Sequence, residues 1–117
     1  MTAMHRHGSK KVFTTEHPVD RDTSVTLVGK DCILLEDSGV VAVQLLDYAQ
    51  GGALCTVLKA HLAYQVVDDA VEELLFPLMV GYGDRNDPYV SGVTLSLSGV
   101  SVFLGKHEVC RLVKALS

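Results

Sequence analysis

Tryptophan is absent from this 117-residue chain, and phenylalanine and tyrosine together make only seven residues. Cysteine is scarce too: Cys32, Cys55 and Cys110 lie far apart, with no Cys-x-x-Cys spacing. An odd, scattered set of thiols excludes a disulfide framework and a cysteine-based zinc site. It fits a reducing cytoplasm, where each thiol behaves as a small hydrophobe. On that reading Cys110, beside Val109, belongs to the buried side of the last helix.

Chemical motifs are missing as well. Gly51-Gly52 lacks the Lys-Ser/Thr that completes a phosphate loop, and Gly81-Tyr-Gly83 follows no clear strand. No serine sits in a nucleophile elbow. His61 and His107 have no carboxylate or cysteine at dyad or ligand spacing, and His5-x-His7 is a pair short of a site. These gaps point away from an enzyme, a metal protein and a cofactor protein.

No uncharged run spans a membrane: the longest, 88–105, is interrupted by Pro88, glycines and four serines. The amino-terminal stretch lacks the apolar core of a secretory signal. Basic charge is confined to one place. Arg6, Lys10 and Lys11 lie in the first eleven residues, and the rest carries seven bases against fourteen acids. An acidic body disfavours broad nucleic-acid binding, leaving only the tail as a phosphate contact.

What remains is apolar. Hydrophobic residues make 48% of the chain and mean hydropathy is +0.27, rich for a domain this small. The excess implies a dry β core or a face buried against a second copy. Residues 1–11 read as a disordered basic tail and 12–117 as a single α+β domain.

The carboxy-terminal quarter is the clearest. Val93–Leu97 and Val100–Leu104 alternate apolar and polar residues, while Val109, Leu112, Val113 and Leu116 repeat with helical spacing. Gly105 is the expected N-cap. Upstream, Ser24–Val28 alternates as strand, and Cys32–Glu36 and Val40–Leu46 flank Asp37-Ser-Gly39, a three-residue hairpin connector. Val12–Thr15 reads as a short edge strand.

Gly51-Gly52 reads as a turn. The stretch 53–67 fits both periods: Leu58, Ala60, Leu62, Tyr64 and Val66 alternate, while Leu54, Val57, Leu58, His61, Leu62 and Gln65 form a helical stripe. The cleaner alternation favours strand. Asp69-x-x-Glu72 resembles a capping box, giving a helix near 69–76 that Pro77 limits. Together these predict a mainly antiparallel β-sheet, flat or a partly open barrel, with one short middle helix and a C-terminal helix packed on the sheet.

The loop 81–89 gathers the most polar chemistry: Tyr82, Asp84, Arg85, Asn86, Asp87 and Tyr89. Asp, Asn, Gly and Pro also make ordinary turns, but aromatic residues and arginine dominate binding hot spots. These six are the expected partner or ligand contacts of a non-catalytic binding or assembly protein: an adapter, inhibitor or oligomeric subunit with a protein partner, associating as a homo-oligomer.

A second site is suggested by a resemblance. His17-Pro-Val-Asp-Arg21 and Asp47-Tyr-Ala-Gln-Gly-Gly52 resemble the Arg-x-x-x-Arg loop and Asp/Asn-x-Ser-x-x-Gly strand of the cyclic-di-GMP effector family called PilZ. Arg21, Asp47 and Gly52 match, while His17 replaces an arginine and Ala49 a serine. The resemblance covers about a third of the chain. It implies a small β-barrel and a nucleotide sensor, with one bidentate phosphate clamp missing.

Overall fold

The computed structural model describes residues 22–83 and 91–117. The tail, the expected strand at 12–15 and residues 84–90 lie outside them. The described residues form six strands and three helices, in the order β1 (Thr23–Val28), β2 (Cys32–Asp37), β3 (Val40–Leu45), α1 (Tyr48–Leu62), α2 (Asp69–Leu75), β4 (Met79–Tyr82), β5 (Gly92–Leu97), β6 (Val100–Gly105) and α3 (Lys106–Leu116). The fold is α+β with antiparallel sheets and a C-terminal helix.

The strands form two meanders, β1-β2-β3 and β4-β5-β6, and no barrel closes among them. The first follows from period-two patterning joined by short turns. In β1 and β2, Val25, Leu27, Ile33 and Leu35 are buried, while Ser24, Thr26 and Glu36 face outward. The register stacks Val25 on Leu35 and Leu27 on Ile33, so one face is continuous and apolar.

The β2–β3 connector is shorter than the expected three residues. Asp37 pairs with Val40, and Ser38 and Gly39 both take positive φ. Ser98 and Gly99 repeat this between β5 and β6. Two positive φ angles give a turn whose twist matches that of the strands it joins.

Between the meanders the sequence reading of 53–67 is overturned: this stretch belongs to α1 and the link that follows it. Asp47 starts the helix with a capping box. Its carboxylate accepts from the Gln50 amide at 2.8 Å, and the Gln50 side chain accepts from the Asp47 amide at 3.1 Å. Gly51 and Gly52 therefore lie inside the first turns of a helix, not in a turn between strands. The helical stripe supplies the buried face through Ala53, Leu54, Val57 and Leu58, whereas Tyr64 and Val66 of the competing alternation are exposed.

The middle helix is where it was expected, capped one residue earlier than the pattern suggested. Asp68 accepts from the Ala70 amide at 2.9 Å. Helix α2 stops at Leu75, consistent with the restriction that Pro77 places on Phe76. Gly81 and Tyr82, read as loop, instead extend β4 and pair with Thr94 and Val93.

A single apolar core joins these parts. β6 lies across β2, α3 packs on β5 and β6, and α1 packs against α2, α3 and the second sheet. Leu54, Val57, Leu58, Leu95, Val102, Leu104, Val109 and Leu112 share one buried cluster there with Val25, Leu27, Ile33 and Leu35 of the first sheet. Helix α3 begins at Gly105, as its spacing predicts, with Val109 and Leu112 inward.

Candidate interaction surface

Of the six loop contacts read from sequence, Tyr82 is the one the structure describes; Asp84, Arg85, Asn86, Asp87 and Tyr89 lie outside the described residues. Tyr82 is part-exposed, but its chemistry is turned to its own fold. Its hydroxyl donates to the His61 carbonyl at 3.0 Å. Its ring meets the His61 imidazole edge-on at 4.4 Å and stacks on Tyr64 at 6.1 Å. Both imidazole nitrogens are buried without a hydrogen-bond partner. Burial holds the His61 pKa below its ordinary value, partly opposed by the Glu72 carboxylate.

Arg21 of the second candidate site lies outside the described residues, Asp47 is the extended N-cap of α1 and Gly52 is helical. The PilZ resemblance requires a strand at this point. Here the Asp47 carboxylate is engaged as a helix cap. Both residues border an open cleft of about 650 Å³, shared with Lys30, Cys55 and Lys59. The Lys30 ammonium donates to the Ser117 carbonyl at 2.7 Å. The walls mix charges of both signs, with no nucleophile paired to a base.

The thiols divide differently from expectation. Cys110 is exposed, because α3 turns Val109 and Leu112 inward and carries their neighbour outward. Cys32 and Cys55 are half-buried. Burial and the Asp31 carboxylate push the Cys32 thiol up, away from the reactive thiolate. Among the described residues no group of three or more His, Cys, Asp or Glu could hold a metal.

The feature that stands out chemically is strand β3, which among the described residues borders β2 on one side and no strand on the other. Its inner residues Ala42 and Gln44 are buried, and the Gln44 amide donates to the Leu75 carbonyl at 2.8 Å. Its outer residues are apolar and open: Val41 is 49%, Val43 54% and Leu45 75% exposed. Tyr48, at the start of α1, is 99% exposed. The six residues Val40–Leu45 contain no charge, no proline and no glycine. Natural edge strands are usually blunted by such residues, and β3 carries none.

A second apolar patch lies at the α2–β4 corner. Leu74, Phe76 and Met79 are exposed there. A cleft of about 280 Å³ is lined by Val57, Leu75 and Leu78 and bordered by Asp69, Glu72 and Glu73. The Gln50 side chain donates to the Leu74 carbonyl at 3.0 Å, fixing this corner to the start of α1.

Sequence reasoning identified β3 as a strand but not as a surface. The absence of charge from Val40 to Leu46 was the available signal. The chain matches no protein-family model, no curated protein and no solved structure with which it was compared.

Proposed function

We propose that this chain is a non-catalytic binding or assembly protein that works through a protein interface, as an adapter, inhibitor or oligomeric subunit. The observation that carries this reading is the open edge of β3, with Val41, Val43 and Leu45 exposed beside Tyr48. Contiguous exposed apolar surface with a polar border marks interaction sites. An unpaired strand edge adds a row of main-chain donors and acceptors that a protein partner satisfies. Three unpaired thiols support a reducing, cytoplasmic setting.

Native mass spectrometry of gently purified protein tests the proposal. A mass equal to several chains, or to the chain plus another protein, is the expected result. A single chain carrying a ligand of small-molecule mass, or a single bare chain, counts against it and favours a sensor domain.

A further inference from the structure

We infer that β3 pairs with β3 of a second copy, antiparallel about a two-fold axis at Val43, joining the two first meanders into one six-stranded sheet. This rests on the binding reading above and gives it a partner and a register.

The argument begins with the hairpin. A two-residue turn closes on a pair that exchanges both main-chain hydrogen bonds, here Asp37 and Val40. Such pairs then alternate along an antiparallel ladder, so Leu35–Ala42 and Ile33–Gln44 are also bonded pairs. The Leu46 amide donates to the Asp31 carbonyl at 2.7 Å, which is the next pair in the same series. Residues 40, 42 and 44 therefore spend their main-chain groups on β2. Residues 41, 43 and 45 turn theirs to the open edge. The residues with free main-chain groups are thus the ones with exposed apolar side chains.

This coincidence fixes what can dock. Free groups meet free groups when odd residues of one copy face odd residues of the other. The register placing Val43 on Val43 of the second copy also sets Val41 against Leu45 and Leu45 against Val41. It satisfies all three residues on each copy, whereas a shift of two residues leaves one unpaired. Opposed residues share a sheet face, so apolar side chains meet apolar ones. An uncharged strand brings no like charges together at the axis. The interface is isologous and closes at two chains, leaving no open β3 edge.

The test uses wild-type protein in a dilution series, followed by light scattering and by amide hydrogen exchange resolved residue by residue. The expected result is a two-chain mass at high concentration that falls on dilution. The amides of Val41, Val43 and Leu45 are then protected at high concentration and exchange freely when dilute. A one-chain mass throughout overturns the inference, and so does a two-chain species in which these three amides stay unprotected. V43K and V43E supply a second arm. Each alone is expected to weaken association by at least about tenfold, because like charges meet at the axis. An equimolar mixture is expected to recover the two-chain mass. A V43K chain that still associates as wild type overturns the register. A one-chain wild type that co-purifies with a different protein removes self-pairing and leaves the binding reading standing; a one-chain wild type carrying only a small ligand removes both.

Discussion

The Tyr82 hydroxyl reaches back across the fold to the main-chain carbonyl of His61, 3.0 Å away, so β4 is tied to the end of α1 by the same side chain whose ring covers the imidazole. Tyr82→Phe removes the hydrogen bond and keeps the ring contacts. The expected cost is about 1 kcal/mol or less, since the bond is solvent-exposed. Tyr82→Ala also removes both ring contacts and costs more. Urea denaturation of the two variants separates these contributions.

His61 makes stability depend on pH. Burial leaves both ring nitrogens without partners, so the charged form finds nothing to accept its two N–H groups. The folded pKa lies below that of the unfolded chain, near 6.5. Below that pH the unfolded state binds more protons, so stability present above pH 6.5 is lost as pH falls through the folded pKa. His61→Phe keeps a ring against Tyr82 and removes the titration. Denaturation midpoints at pH 5.5 and 7.5 are expected to differ less in the variant than in wild type.

Gly92 is expected to tolerate no side chain. It opens β5 at φ +145°, and an added Cβ would collide with the Leu104 carbonyl oxygen and the Phe103 ring. Both the backbone angle and the space demand glycine. Gly92→Ala is expected to lower the thermal midpoint sharply, by the several kcal/mol typical of strained, overpacked sites. A wild-type midpoint would show that the β4–β5 junction has another solution.

Gly51 and Gly52 behave in the opposite sense. Both are helical, and an added Cβ would meet nothing within 4 Å at either position. Alanine at each site is expected to stabilise by roughly 0.5–1 kcal/mol, read from chemical denaturation. A nucleotide site at Asp47 and Gly52, as the PilZ resemblance implies, would instead lose ligand-dependent stabilisation when Gly52 gains a methyl.

Asp47→Ala removes the cap of α1. The expected loss is about 1 kcal/mol, seen as a lower thermal midpoint. Association through β3, which ends before the cap, is expected to persist in light scattering.

These residues also show why some of the fold was legible and some was not. The hairpins and the final helix were readable because one side of each faces water, and alternation or helical spacing records that in the sequence. Helix α1 was not, because Leu58, Ala60, Leu62, Tyr64 and Val66 imitate a strand, and Gly51-Gly52 hid the first turns. The deciding signal was Asp47 with Gln50 three residues on, a local cap that outweighs an incidental alternation. The open face of β3 was illegible for a different reason. Val40–Leu46 is uncharged on both sides, and which side is covered depends on distant contacts such as Gln44 with Leu75. Of the loop read at 81–89, Tyr82 holds His61, and Asp84, Arg85, Asn86, Asp87 and Tyr89 lie outside the described residues.

The order of the two meanders has a consequence for biosynthesis. The first is complete at Leu45, whereas β5 and β6, which pack against it, come later in the chain. A chain emerging amino-terminus first thus displays Val25, Leu27, Ile33 and Leu35 to solvent until those strands have followed. For that interval the nascent sheet is apolar on its inner face and open along β3. If β3 pairs between copies as inferred, nascent chains crowded on one messenger would meet through it before any of them had finished folding.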